Sequence, residues 1–247
     1  MTYTPSPHQL TFGSLFAGIG GFDLGFERAG MRCEWQVEID PYCQRVLAKH
    51  WPNVRRWDDV RTFPPAGEWS VDVICGGFPC QDISNAGKRE GIDGERSGLW
   101  SEYFRIIRVV RPRYVVVENV AALLDRGIGR VLGNLASVGY DAEWSLLPAC
   151  AMGAAHSRSR LFIVAYPNGN RLEGRKRKRT QGKGQPVRIP AVCDSSTRRQ
   201  WQQLPTPVFC RSVDGVPDRV GRTASLGNAV VPQVAEWIGR RIVEAGA

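Results

Sequence analysis

Two short runs of apolar residues limit the folds open to this chain more than any other feature of its sequence. Residues 71–74 and 114–117 are dominated by valine and isoleucine, with little of the alternation that marks a strand with one solvated face. Such runs are typical of strands buried on both faces of a parallel sheet. We therefore predict an α/β fold with helices on both faces of the sheet, in which ligands bind beyond the carboxyl ends of the strands.

Residues able to do chemistry follow both runs. Gly76, Gly77 and Pro79 break the first strand and lead into Cys80, and the second run ends on Glu118. A single cysteine is more often a buried thiol than a nucleophile. A carboxylate at the end of a strand in the same sheet is, however, the partner that thiol chemistry requires. We therefore interpret Cys80 as the reactive group.

The amino-terminal part of the chain predicts a nucleoside-binding unit. A strand at 10–16 leads through the glycine-rich turn at 17–21 into a helix, and a second strand at 33–37 closes on Glu38. A dinucleotide-binding turn would need a third glycine where this chain has Asp23, so a pyrophosphate ligand is disfavoured. The spacing suits a nucleoside without phosphates, whose ribose hydroxyls could donate to Glu38. S-adenosylmethionine fits that description.

The remaining elements are predicted from hydrophobic periodicity and helix-breaking residues. The first helix should bury Phe22, Leu24, Phe26 and Ala29, and the second should run from Pro41 to about His50, since proline is tolerated in a first helical turn. The later predictions are a third strand ending at 58–60, a helix at 100–110, a helix at 128–138, strands at 141–147 and 161–165, and a final helix at 233–245 with Val234, Ile238 and Ile242 inward.

The positive charge of the chain is concentrated in one internal segment. The net charge is +9, and residues 166–203 hold ten of the 33 Lys and Arg residues but two of the 24 Asp and Glu residues. Cations that meet phosphates release condensed counterions, so the segment favours a nucleic-acid partner. A solvated basic tail is the alternative, but the segment is internal and a predicted helix follows it at 233–245. Five consecutive cations stand at the centre: Arg175, Lys176, Arg177, Lys178 and Arg179.

The cysteine and hydropathy patterns exclude other classes of protein. The seven cysteines include no Cys-x-x-Cys pair and have no histidine at zinc-ligand spacing, so we expect reduced thiols and no metal. No apolar stretch approaches the roughly 20 residues that span a bilayer, and residues 1–10 lack the features of a signal peptide. We therefore expect no membrane association and a cytoplasmic location.

From end to end, the chain resembles the DNA cytosine-5 methyltransferases, with seven motifs in the usual order. The matching segments are the cofactor loop at 16–21, the ribose-binding acid at 38–40, the adenine contact at 59–60, the nucleophile loop at 77–81, the base-activating motif at 118–120, the paired arginines Arg158 and Arg160, and the carboxyl-terminal motif at 227–232. The resemblance implies a Rossmann-like S-adenosylmethionine-dependent methyltransferase sheet with a small, basic, irregular recognition region.

The resemblance also implies roles for these residues. Catalysis falls to Cys80 as nucleophile, to protonated Glu118 as hydrogen-bond donor to the cytosine ring, and to Arg158 and Arg160 at the flipped base and its phosphate. The implied cofactor contacts are Phe16, Gly18, Ile19, Gly20, Gly21, Glu38, Ile39, Asp59, Val60, Gly77, Pro79, Leu99, Asn228 and Val230. The predicted DNA contacts are Gln81, Ser84, Lys88, Arg96, Asn119 and the five cations at 175–179.

The domain organisation follows from the same comparison. We expect a catalytic and cofactor-binding domain at 1–165, a short basic target-recognition region at 166–204, and carboxyl-terminal motifs at 205–247 that pack back on the catalytic domain. Family members commonly carry a larger recognition domain, so relaxed or short specificity is expected. We expect a monomer acting on double-stranded DNA, and a cognate restriction endonuclease stays open as a partner. An RNA substrate of the tRNA type and a non-catalytic DNA-binding relative are the alternatives.

Overall fold

A computed structural model describes residues 9–79, 98–152, 158–168 and 228–246 of the chain. The strands are β1 Thr11–Leu15, β2 Arg32–Val37, β3 Arg55–Trp57, β4 Val73–Gly77, β5 Tyr114–Asn119, β6 Tyr140–Pro148 and β7 Ser159–Pro167. The helices are α1 Gly21–Arg28, α2 Pro41–His50, α3 Leu99–Val110, α4 Leu123–Arg126, α5 Ile128–Ser137 and α6 Pro232–Gly246. Two short 3₁₀ turns lie at Gly67–Trp69 and Ala149–Met152.

The strands form one seven-stranded sheet in the order β3-β2-β1-β4-β5-β7-β6. The first five strands pair in parallel, whereas β7 runs antiparallel to both β5 and β6. The carboxyl ends of the parallel strands therefore share one edge with the amino end of β7. Glu118 pairs with Phe162 and Asn119 with Leu161 in this register, so residues that enter β7 arrive beside the end of β5.

Helices cover both faces of the sheet, as the two apolar runs predict. Successive residues point to opposite faces of a strand, so Ile74 and Val115 belong to the core under α3 and α5, while Val73 and Val116 belong to the core under α1 and α6. Each fully buried valine or isoleucine contributes about 1.5–3 kcal/mol to folding. The continuous apolar character of these strands is therefore the direct result of burial on both sides.

Helix α2 begins where proline chemistry predicts. Asp40 is its N-cap residue and accepts from the backbone N–H groups of Tyr42 at 2.8 Å and Cys43 at 2.9 Å. Pro41 occupies the first turn, where its missing N–H costs no intrahelical bond. The predicted end at His50 also agrees with the structure.

The prediction that Leu24 lies on the buried face of α1 is wrong. Leu24 is 36% exposed, whereas Phe22, Phe26 and Ala29 are buried as predicted. The buried stripe instead passes through Gly25, where an added Cβ would lie 2.5 Å from the Cβ of Ala235. Helix α6 approaches too closely for a side chain at that position, and Leu24 lies outside this buried stripe.

The inward face of α6 agrees with the sequence prediction. Val234, Ile238 and Ile242 are all at most 4% exposed and pack with α1 on the same face of the sheet. No helix in the described part of the chain is both long and apolar enough to cross a membrane. Of the recognition region predicted at 166–204, all but the first three residues lies outside the described residues.

Candidate functional site

The glycine-rich turn after β1 has a strained backbone. Gly18 and Gly20 have φ angles of 56° and 86°, and Phe16 has a φ of 52°, which is uncommon for a residue with a side chain. The Phe16 ring packs edge-on against Tyr103, with ring centroids 6.3 Å apart. Strain of this kind persists only where the surroundings hold it, and it concentrates at ligand sites.

Glu38 closes the turn from the end of β2. Its Oε2 accepts from the N–H of Gly18 at 2.7 Å, and its Oε1 accepts from the N–H of Asp40 at 2.8 Å. Each carboxylate oxygen has a second lone pair, so Glu38 can still accept from a ligand's hydroxyl groups. Burial raises the pKa of Glu38, while the two backbone donors oppose this shift. The neighbouring Ile39 is 59% exposed and presents an apolar surface beside the carboxylate.

The predicted adenine contacts follow β3. Asp59 Oδ1 accepts from the backbone N–H of Arg61 at 2.9 Å and from its guanidinium at 3.1 Å. Val60 is 5% exposed and belongs to the core on the α3 side. The Asp59 carboxylate is partly exposed at the edge of the sheet, where a ligand could reach it.

Glu118 lies at the carboxyl edge of the parallel strands. It is the penultimate residue of β5 and pairs with Gly77, where an added Cβ would lie 2.5 Å from Glu118 Oε2. Arg160 of β7 places its Nε 3.1 Å from Glu118 Oε1. Burial raises the pKa of Glu118 to about 7, although the charges of Arg160 and Arg158 lower it. The side chain is therefore divided between its acid and its carboxylate form near neutral pH.

A pocket beside this pair joins three segments that are remote in sequence. The strands β5, β6 and β7 and the segment before α6 all contribute to its wall, which consists of Glu118, Leu147, Ala149, Arg158, Arg160, Phe162, Ala229, Val230, Val231 and Val234. The structure thus brings together three of the four predicted catalytic residues and the carboxyl-terminal motif.

The carboxyl-terminal motif also contacts the cofactor loop. A Cβ at Gly21 would lie 2.3 Å from the carbonyl oxygen of Val230, so only glycine allows this approach. The predicted contacts Gly21 and Val230 are therefore adjacent, although more than 200 residues separate them. Asn228, at the start of this segment, is exposed, and Leu99 begins α3 and packs against the core.

Asn119, which was predicted to contact DNA, is buried at the end of β5. Its side chain is 2% exposed, its Nδ2 donates to the carbonyl of Phe78 at 3.1 Å, and its Oδ1 accepts from Val120 N–H at 2.9 Å. Phe78 in turn packs against Trp100, with ring centroids 5.5 Å apart. These contacts favour a role in fixing the chain before Pro79 over the predicted contact with DNA.

Several predicted site residues lie outside the described residues. They are the nucleophile Cys80, the predicted DNA contacts Gln81, Ser84, Lys88 and Arg96, and the cations at 175–179. Pro79, the last described residue of its segment, lies two residues beyond Gly77, which pairs with Glu118 in the sheet. Among the residues that are described, no three His, Cys, Asp or Glu side chains are grouped so as to hold a metal ion.

Sequence reasoning missed one buried polar cluster. Asp23 was noted only as the residue that replaces a glycine, yet it is fully buried and bonded to Ser14 and Gln36. The available signal was a charged residue on the apolar side of an amphipathic helix. Charged residues are almost never fully buried without partners.

Known proteins provide an independent comparison. Residues 10–203 match the family model of the C-5 cytosine-specific DNA methylases. Type II methyltransferase M2.BsuMI of Bacillus subtilis is 38% identical over 163 residues, which cover 62% of this chain and 41% of that protein. Type II methyltransferase M.HgiCII of Herpetosiphon aurantiacus is 36% identical over 161 residues, which cover 63% of this chain and 37% of that protein.

A solved structure agrees in fold. A protein assigned as a DNA modification methyltransferase, encoded within an Escherichia coli prophage, has a TM-score of 0.54 and 26% identity, over 64% of this chain and 47% of that one. The chain matches about two fifths of the length of the two curated relatives. Because the family model matches well over half of the sequence, the chain belongs to the C-5 cytosine-specific DNA methylase family.

Proposed function

We propose that this chain transfers a methyl group from S-adenosylmethionine to carbon-5 of cytosine in double-stranded DNA. The observation that carries the proposal is the burial of Glu118 beside Arg160. A buried carboxyl group with a pKa of about 7 faces a pocket that two arginines also line. A group in this state can donate a hydrogen bond at neutral pH, which an ordinary surface glutamate cannot do.

Glu118 and Cys80 divide the activation of the base between them. The Cys80 thiolate adds to carbon-6 of cytosine, and the electron pair of the carbon-5–carbon-6 double bond moves towards carbon-5 and the ring. Protonated Glu118 donates to the ring nitrogen beside the exocyclic amine and stabilises the charge that develops there. After methylation, a base removes the carbon-5 proton and the thiolate leaves carbon-6. The target base must leave the duplex first, because its ring face is otherwise stacked.

The described residues fit the cofactor. An added Cβ at Gly18 would meet nothing within 4 Å, so the turn leaves open space there for a nucleoside, and the two oxygens of Glu38 retain lone pairs for ribose hydroxyls. Gly21 and Val230 bring the carboxyl-terminal motif against this turn. When bound there, S-adenosylmethionine supplies an electrophilic methyl group. We assign the remaining cofactor contacts to the residues that the family motifs match.

Arg158 and Arg160 polarise the pocket. Arg160 lies 3.1 Å from Glu118, and its charge lowers the pKa of that carboxyl. The pKa therefore stays at about 7, and the carboxyl is not fully protonated at neutral pH. The same cations would increase the thiolate fraction of a cysteine that reaches the pocket, because a nearby positive charge favours the ionised thiol. They also supply donors for the carbonyl oxygen of cytosine and for a phosphate.

The basic segment is assigned to the DNA backbone. Five cations at 175–179 can neutralise phosphates, but the segment between 166 and 204 is short and offers a small surface for reading base edges. We therefore propose a catalytic domain at 1–165, a short recognition region at 166–204 with relaxed or short specificity, and closing motifs at 205–247.

The experiment is transfer of labelled methyl groups from S-adenosylmethionine to duplex DNA, with tRNA as the second substrate. Wild-type protein should label cytosine in DNA. The Cys80→Ala variant should label nothing yet still bind the cofactor, whereas Cys43→Ala, at a buried thiol of α2, should retain transfer. Labelling of tRNA instead of DNA would reassign the substrate, and transfer by Cys80→Ala would exclude Cys80 as nucleophile.

A further inference from the structure

Asp23 is a buried carboxylate that the proposed mechanism does not use. It lies in the first turn of α1, three residues after the left-handed Gly20, and its side chain is 0% exposed. A buried carboxylate is costly unless hydrogen bonds compensate for the lost hydration. Its position therefore requires an explanation other than packing.

Three neutral donors converge on Asp23 from two strands. Ser14 Oγ of β1 donates to Oδ2 at 3.1 Å, while Gln36 Nε2 and the Cys33 thiol of β2 donate to Oδ1 at 2.9 Å and 3.5 Å. The first turn of α1 adds the positive end of the helix dipole. Burial and the charge of Asp23 raise the pKa of the neighbouring Cys75 thiol of β4 well above its usual range. The cluster is thus arranged around one anion.

The two strands that supply these donors also carry the cofactor site. Ser14 lies two residues before Phe16, where the strained turn begins, and Gln36 lies two residues before Glu38. Glu38 is in turn bonded to the N–H of Gly18 within the turn. Asp23 therefore joins β1, β2 and α1 from inside the molecule, directly behind the residues that would hold the ligand.

Protonation changes what this cluster can bond. Burial raises the pKa of Asp23 to about 6, and the hydrogen bonds from Gln36 and Ser14 oppose the shift. A protonated carboxyl must also donate, and the buried Gln36 Oε1 has no hydrogen-bond partner among the described residues. Rotation of the Gln36 amide would offer that oxygen and break the existing bond between Gln36 and Asp23.

The neighbouring helix α6, which packs against α1, also carries charged side chains. Glu236 and Arg240 of α6 pair with each other at 2.7 Å.

We propose that ionised Asp23 is a positioning residue for cofactor binding, which holds β1, β2 and the first turn of α1 in the geometry that the turn at 16–20 and Glu38 require. This inference rests on the proposed function, since its readout is affinity for S-adenosylmethionine. Protonation of Asp23 rearranges the donors behind the turn, so the protonated protein binds the cofactor more weakly.

The test is the dissociation constant of the full chain for S-adenosylmethionine, measured by calorimetry from about pH 8 to about pH 5. If the ionised form alone binds, wild-type affinity one pH unit below the midpoint should be about a tenth of its value at about pH 8, which gives a break in the plot of affinity against pH. Asp23→Asn should remove this break. Ser14→Ala should move it to higher pH, because losing a donor to the charged form raises a carboxyl pKa.

Two control variants separate Asp23 from other acids. Burial also raises the pKa of Glu38, so Glu38→Gln should bind more weakly at every pH yet keep the break due to Asp23. Glu27→Gln changes an exposed acid on the same helix and should keep the wild-type profile.

The outcomes distinguish this inference from the proposed function. A break that persists in Asp23→Asn, or one that does not move in Ser14→Ala, would overturn the role of Asp23. Absence of binding by the wild-type protein at any pH would overturn the proposed cofactor itself. If circular dichroism shows that Asp23→Asn does not fold, the direction of the shift in Ser14→Ala decides the matter.

Discussion

The burial that raises the pKa of Glu118 also lowers the stability of the protein at neutral pH. Burial raises the pKa of Glu118 to about 7, against the charges of Arg160 and Arg158, from a reference value of 4.5. The folded state therefore prefers the protonated form. This preference stabilises the protein below pH 4.5, and the stabilisation is lost as the pH rises through about 7. With about 1.4 kcal/mol per pKa unit, the loss approaches about 3 kcal/mol.

Glu118→Gln should therefore stabilise the protein in a pH-dependent way. The amide resembles the protonated acid, so the free energy of unfolding at pH 8 should rise by about 2–3 kcal/mol, with little change at pH 4. Urea denaturation at both pH values measures the difference, and the exposed Glu68→Gln serves as the control. Methyl transfer should fall in the same variant. Equal stability of wild type and Glu118→Gln at pH 8 would contradict the raised pKa.

At the scale of single residues, the sequence predicted which residues belong to the site better than it predicted what each of them contacts. Glu118 and the two arginines follow from motif order and strand ends, and the structure brings all three to one pocket. Gly77 was predicted to break the first strand and to contact the cofactor, whereas in the structure it lies within β4 and a Cβ there would collide with Glu118. A glycine that accommodates a side chain on the next strand cannot be recognised from the chain alone, because the register of the two strands decides it.

The contact between α1 and α6 depends on glycines, and we predict opposite effects of alanine at two helix positions. A Cβ at Gly25 would lie 2.5 Å from the Cβ of Ala235, whereas one at Gly133 of α5 meets nothing within 4 Å. Gly25→Ala should destabilise the protein by about 1–3 kcal/mol through overpacking. Gly133→Ala should stabilise it by about 0.5–1 kcal/mol, because alanine restricts the unfolded chain.

Thermal or urea unfolding of the two alanine variants gives the measurement, and each is the control for the other. Both replace glycine by alanine within a helix, so the helical preference of alanine is common to both. Only the neighbouring surface differs. If both variants were stabilised equally, α6 would not lie against α1 at Gly25.

Element positions were predictable where local chemistry determines them. The apolar run of β5 and the start of α2 agree closely with the structure, whereas β4 begins two residues later than its apolar run and continues through Gly76 and Gly77, which were predicted to break it. The direction of β7 was not predicted, since a buried strand has the same composition whether it runs parallel or antiparallel. Its antiparallel direction is what brings Arg160 to Glu118. Leu24 was misplaced for a related reason, because the approach of α6 is not visible in the periodicity of α1.

Across the whole molecule, the fold brings the candidate site residues to the carboxyl edge of the sheet, whereas the net positive charge lies in one segment of the sequence. The cofactor turn, Glu118, Arg160 and the segment at 228–231 converge at the carboxyl edge of the sheet. The charge of residues 166–203 is by contrast a property of the chain, and nearly all of the net +9 resides there. If DNA reaches the catalytic edge through this segment, its cations should dominate the salt dependence of binding.

Replacing Arg175, Lys176, Arg177, Lys178 and Arg179 with glutamine should weaken binding to duplex DNA and flatten its salt dependence. Each lost phosphate contact reduces the slope of log K against log salt concentration by about 0.9, so five contacts would reduce it by about 4 to 5. The measurement is fluorescence anisotropy over a salt series. Glutamine at Arg28, Lys49 and Arg108, three exposed cations of the folded body, is the control and should leave the slope nearly unchanged. An unchanged slope in the five-site variant, with a reduced slope in the control, would place the DNA on the body of the sheet instead.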